Sequence, residues 1–148
     1  MTLFTVEQAN RTLPLVRRIV EDIVREHRRW QEKILELELV ASTTAAANVA
    51  PAGGAAPQAP PAPPDERVAA IERDAMAIAR DIDAFERELE ELGIALKDRR
   101  LGLIDFPGEI DGRKVWLCWR LGEPSVQHWH DLDAGYAGRQ PLPAAALK

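Results

Sequence analysis

Two imidazoles stand two residues apart in His128-Trp129-His130, and a carboxylate follows at Asp131. On a β-strand alternate residues share a face, so His128 and His130 are expected to project together. Two imidazoles and one carboxylate on one face make a triad that holds a divalent metal and leaves positions open. Glu123, Asp131 or Asp105 can supply that carboxylate. The candidate metal ligands are therefore His128, His130, Asp131 and Glu123. The competing reading has one histidine packed beneath a tryptophan and the other in water.

A metal-free site can use much the same residues. Asp105, Glu123, His130 and Arg139 are polar groups on or beside one small sheet, and a histidine beside a carboxylate can act as a general base. No spacing identifies a nucleophile or a substrate, and surface hydrogen bonds and turn-stabilising carboxylates are the favoured account of these residues. Gly122, followed after five residues by His-x-His, resembles the opening of the cupin metal motif. The glutamate that motif needs is absent, since Ala134 and Gly135 stand there, and too little chain follows for a double-sheet barrel.

Cys118 is the single cysteine, which excludes an internal disulfide and a cysteine-based zinc site. A small buried hydrophobe is the expected role, although Arg120 on the same face offers the positive charge that a reactive thiolate needs. His27 lies inside a helical seam. It is a candidate ligand for haem or metal if a second copy of the chain supplies another His27, and otherwise a polar residue that sets register.

These residues depend on two long helices and a small sheet. Thr5 and Gln8 have capping-box spacing, with Phe4 as a hydrophobic staple. Apolar positions then recur at steps of three and four: Val16, Val20, Ile23, His27, Trp30, Ile34, Leu37 and Ala41. Pro14 predicts a kink near the start of this first helix, 5–41. The second helix, 65–93, starts at Asp65 as its cap. It repeats the pattern with Val68, Ile71, Ala75, Ile78, Ile82, Phe85, Leu89 and Leu92, and Gly93 ends it.

Residues 42–64 between the helices are uncharged, without aromatics and dominated by Ala and Pro, a composition that cannot bury enough surface to order itself. They are expected to be a flexible tether, which costs little loop-closure entropy for its length. Each seam is too narrow to be stable alone, so the helices are expected to pair as an antiparallel hairpin of coiled-coil type. They can also recruit a second hairpin into a dimer.

Residues 94–131 change period. Asp111-Gly112 is a strong hairpin signal between Leu101–Ile110 and Arg113–Leu121. Counting outward from it sets Asp105 opposite Cys118 if no bulge intervenes, and Pro107 favours a bulge or an edge position. A third strand over Ser125–His130 completes an antiparallel meander, and 132–148 reads as loop and frayed tail. The fold class is α+β, mainly α: a long helical hairpin with a small C-terminal β-meander in one domain.

A net charge of -5 argues against general nucleic-acid binding. Arg25, Arg28 and Arg29 are interleaved with Glu21, Asp22, Glu26 and Glu32, as on a solvated face. No apolar run reaches the ~20 residues that a membrane-spanning helix needs, and the N-terminus is unlike a signal peptide. A cytoplasmic protein is expected.

Several stretches together resemble one bacterial family, domain of unknown function 2203. They are Gly102-Leu103-Ile104-Asp105-Phe106-Pro107, Asp111-Gly112, Leu117 to Glu123, Trp129-His130, Gly135 to Arg139, Pro141-Leu142, and Phe4 to Asn10 with Leu13-Pro14. The resemblance implies a bacterial protein. It transfers no catalytic role, but it directs attention to Asp105, Glu123, His130 and Arg139, which lie inside the motif, whereas His27 and His128 lie outside it. The leading functional expectation is a self-associating interaction or scaffold module. The alternative is a small metal- or haem-binding protein, or an enzyme, with its site at the helix–sheet junction.

Overall fold

A computed structural model describes residues 2–47 and 63–144 of the chain. Two α-helices precede a five-stranded antiparallel sheet, the α+β hairpin-and-meander class expected from the sequence. Helix α1 spans Val6–Ala47 and helix α2 spans Pro64–Glu91. The strands are β1 (Ala95–Asp98), β2 (Leu103–Ile110), β3 (Arg113–Arg120), β4 (His128–His130) and β5 (Gln140–Pro141), in that order across the sheet. The chain divides into two compact units. One comprises residues 1–25 and 82–148, and the other residues 26–81.

The start of α1 is closed as its residue types dictate. The Thr5 N–H donates to Gln8 Oε1 (3.0 Å) and the Gln8 N–H donates to Thr5 Oγ1 (3.1 Å), so two otherwise orphaned donors are satisfied reciprocally. Phe4 packs on the sheet: its ring stands edge-on to Phe106 at 5.3 Å, and its backbone bridges to Gly108. Pro14 lies within a helix that runs on to Ala47, six residues beyond the expected end. The α2 helix opens with Pro64, a residue pre-set for the first helical position. The Pro63 carbonyl accepts from the Glu66 and Arg67 N–H groups, so Asp65 sits in the first turn rather than at the cap. The remainder of the expected tether, 48–62, lies outside the described residues.

In the unit Glu26–Asp81 the two helices run antiparallel. Lys33 pairs with Asp74, and further along α1 Val40 shares a groove with Arg67, Ala70 and Ile71. Ile71, Ala75 and Ile78 are buried, as the seam requires. On α1 the buried end of the seam is Val40, and Ala41 is exposed.

In the other unit α2 ends in a Schellman motif. Gly93 adopts φ 85°, the Ile94 N–H donates to the Leu89 carbonyl (2.9 Å), and the Gly93 N–H donates to the Glu90 carbonyl (2.9 Å). Asp111 and Gly112 both take positive φ, 51° and 79°, which is the type I′ turn that suits a two-residue hairpin. From that turn β2 and β3 pair without a break, from Ile110↔Arg113 to Leu103↔Arg120.

Pro107 causes no bulge, for a topological reason. In a strand a residue's amide and carbonyl point to the same edge. The Pro107 carbonyl accepts from the Phe4 N–H (2.7 Å), so its missing N–H faces away from β3. The β2–β3 ladder therefore loses no bond.

Alternation gives the sheet two unlike faces. Ile104, Phe106, Leu117 and Trp119 are fully buried on the face toward the start of α1, where Phe4 meets Phe106 and the Arg17 guanidinium lies 5.8 Å from the Trp119 ring centroid. Asp105, Cys118, His128 and His130 take the opposite face. The expected third strand is shorter than Ser125–His130. Part of the expected tail supplies a further strand, with His128↔Pro141 and Trp129↔Gln140 in register. Leu142 is buried, and its N–H donates to the Gln127 carbonyl (2.8 Å). Residues through Leu142 are therefore anchored, and 145–148 lie outside the described residues.

Candidate functional site

Three neighbouring strands each deliver one donor to the face away from the start of α1. Asp105 comes from the middle of β2, Cys118 stands directly opposite it on β3, and His130 ends β4. The carboxylate oxygens, the thiol sulfur and the imidazole nitrogens bring one donor atom each within 4.8 Å of the others. All three residues are buried: Asp105 is 2% exposed, His130 2% and Cys118 0%.

The hydrogen bonds of His130 define the proton inventory. The Nδ1–H donates to the backbone carbonyl of Asp131 (2.9 Å), and Nε2 lies 3.0 Å from Asp105 Oδ2. A carbonyl oxygen can only accept, so Nδ1 carries a proton. A second proton must then bridge Nε2 and Oδ2, because a lone pair facing a carboxylate makes no bond. With both hydrogen bonds made, the pair is electrically neutral. Asp105 Oδ1, the other carboxylate oxygen, is buried with no hydrogen-bond partner.

Cys118 is a neutral thiol. Burial pushes its pKa up to about 12, the Asp105 charge adds to that push, and the Arg139 guanidinium only partly opposes it. A thiol so placed is no nucleophile at neutral pH. The Asp–His pair also cannot activate it in triad fashion, since Nε2 is committed to Asp105 rather than to sulfur.

Glu123 organises an adjoining cluster. Its Oε1 accepts from the Arg120 N–H (2.7 Å) and from Arg139 Nη1 (2.9 Å), while His128 Nδ1 lies 3.3 Å from Oε2 without the alignment of a hydrogen bond. Burial works against the Arg139 charge, but Glu123 and Cys118 outweigh it, and the pKa of the guanidinium rises. Arg139 also lies over the Tyr136 ring at 4.5 Å. It thus joins the two clusters, touching Glu123 on one side and Cys118 on the other.

The expected ligands therefore separate. His130 joins Asp105, while His128 and Glu123 form a different group. The Asp131 side chain pairs with Arg113, and only its carbonyl serves the site. His128 and His130 do share a face, but different partners hold them. The site is on the sheet face opposite the start of α1, and no described residue of α1 or α2 lines its cleft. His27 stacks on Trp30 at 5.9 Å with its Nδ1 buried and unpaired, and it belongs to no three-ligand group among the described residues.

Cys118 is the member that the sequence reading set aside as a ligand. One cysteine does exclude a site built of several thiolates, but not a mixed set. Its signal was the register counted from the Asp111-Gly112 turn, which puts Asp105 opposite Cys118, as observed.

A cleft of about 210 Å³ opens on this face. Asp105 and His130 line it, with Lys97, Leu103, Trp116, Leu132 and Tyr136 around them. No described helix is long and apolar enough to cross a membrane. Comparison with curated proteins gives no match, and neither does comparison with solved structures. A family model does match, over residues 2–142 and so over both helices and all five strands, and by it the chain belongs to the uncharacterized conserved protein family DUF2203.

Proposed function

We propose that the chain is a small metal-binding protein whose centre is Asp105, Cys118 and His130, with zinc the ion best suited to it. The observation that carries this reading is a carboxylate, a thiol and an imidazole buried together, with Asp105 Oδ1 in no aligned hydrogen bond and only the weak Cys118 thiol beside the carboxylate. A buried acceptor left unmade costs about 1–3 kcal/mol, and a cation between Asp105, Cys118 and His130 would remove that cost. The Nδ1–H bond to the Asp131 carbonyl is the outer support that a metal-bound histidine ordinarily has, and it leaves Nε2 facing Asp105. Imidazole, thiolate and carboxylate together suit zinc, and three protein ligands leave a fourth position open. A reducing, cytoplasmic setting would keep the thiol available.

Loading of untagged protein with Co²⁺ tests this directly. One equivalent should bind, with a thiolate-to-cobalt charge-transfer band that Cys118→Ala abolishes. Uptake without that band, or unchanged uptake in both Cys118→Ala and Asp105→Asn, would rule the site out.

Self-association is a second reading, favoured by an observation in the other unit. Leu35 and Leu39, one turn apart on α1, are 59% and 65% exposed, and Met76 on α2 is 63% exposed. A dimer through this hairpin would cover them. Light scattering tests it: a dimer that Leu35→Glu with Leu39→Glu converts to monomer supports the reading, and a monomer at all concentrations refutes it.

A further inference from the structure

The proposed centre has an open side, and the chemistry around that side is selective. The cleft reaches Asp105 and His130, so a fourth ligand on the metal would lie within it rather than in protein. Its walls are largely apolar: Leu103 and Trp116 from the sheet, Leu132 and Tyr136 from the segment after β4. Lys97 supplies the one cationic side chain in the lining, its Nζ 5.6 Å from the Trp116 ring centroid, and it makes no ion pair among the described residues. Asp105 is the one acidic residue in the lining.

Charge decides which ligand fits. A divalent ion with the Asp105 carboxylate and the Cys118 thiolate is neutral, His130 adds no charge, and the Arg139 guanidinium beside the sulfur is balanced by Glu123. Lys97 then leaves the cleft with a net charge of about +1, within the range where a low-dielectric wall concentrates the field. A monoanion balances it. The apolar walls require the rest of that monoanion to be hydrophobic, since a hydrated inorganic ion would leave them unfilled.

Resting on the metal-centre reading, we infer that this cleft binds a small organic carboxylate. Its apolar body lies between Trp116 and Leu132, and its carboxylate occupies the open metal position within reach of the Lys97 ammonium. Lys97 is exposed and its ammonium meets the protein only over the Trp116 ring, so an apolar side chain of similar length changes the charge and leaves the fold in place.

The Co²⁺-loaded full chain, titrated with benzoate, tests the inference. Benzoate should change the cobalt ligand-field bands saturably, and benzamide, equal in size but uncharged, should not. Lys97→Met should weaken benzoate at least tenfold while cobalt uptake stays at one equivalent. If cobalt binds and benzoate leaves its spectrum unchanged, or if Lys97→Met binds benzoate as tightly as the parent, the carboxylate inference is overturned and the metal centre stands. If chloride or sulfate gives the same change at the same concentration, the site selects charge alone and the inference is overturned as well. If no cobalt binds, the metal-centre reading fails and takes this one with it.

Discussion

Metal uptake at Asp105, Cys118 and His130 should release two protons per ion. The count follows from the hydrogen bonds. Without metal, the cluster carries three protons: one on His130 Nδ1, one between Nε2 and Asp105 Oδ2, and one on the Cys118 sulfur. The Nδ1 proton stays, because the Asp131 carbonyl still faces it. The other two occupy the atoms that must bind metal. Each displaced proton makes the apparent affinity vary about tenfold per pH unit, so zinc binding should tighten about a hundredfold for each unit of rising pH. Calorimetric titration in buffers of differing ionisation enthalpy measures the number directly. At about pH 6 a zinc-bound water, which ionises near 7, adds little to it. Cys118→Ala should lower the count to one. Binding that releases no protons, or a count unaffected by Cys118→Ala, would refute both the proton inventory and the ligand set. Two protons leave as a divalent ion enters, so the buried site keeps its charge.

Three further outcomes are expected. In metal-free protein the Cys118 thiol keeps its proton in the folded state up to about 12, against 9.0 for the ordinary group. The folded state therefore binds more protons above pH 9, and stability, full below 9, should fall as pH rises toward 12. The ceiling is about 4 kcal/mol, at ~1.4 kcal/mol per unit, and urea unfolding of the parent against Cys118→Ala isolates it. His130→Ala strands the buried Asp105 carboxylate and should cost about 3–5 kcal/mol of metal-free stability; a loss under 1 kcal/mol in urea would show that the pair is not the unit described. At Gly102, φ is 68° and an added Cβ would lie 2.8 Å from both Leu121 Cβ and Val20 Cγ1, so Gly102→Ala should lower stability by about 2–4 kcal/mol in thermal unfolding.

The helices were legible because their information is local and periodic. Ile71, Ala75, Ile78, Ile82 and Leu89 were named from spacing alone, and all are buried. The Thr5–Gln8 box and the Gly93 terminus carry their own residue types. The β2–β3 register was legible for the same reason, since Asp111-Gly112 demands a two-residue turn and every pair outward follows. The short strand β5 was not, because Gln140-Pro141 has neither alternation nor length, and only its neighbour β4 makes it a strand. The site was half legible. Asp105 and His130 were named as candidates, but their pairing depends on which residue of β4 meets β3, and the loop from Gly122 to Gln127 fixes that through contacts no local pattern announces. The Asn10 side chain accepting from the Val126 N–H (2.6 Å) is one of them, from a residue 116 positions away.

The turn at Asp111-Gly112 also sets what this site can tolerate over evolutionary time. It acts as a gauge for chain length. Adding a single residue between Asp105 and Cys118 would turn one of them to the other face, setting a carboxylate or a thiol among Phe106, Leu117 and Trp119. Substitutions along the hairpin can accumulate one at a time, but a single insertion or deletion there removes the donor set at a stroke. Variation in length among relatives that keep the site should therefore fall outside the twelve residues between Asp105 and Cys118.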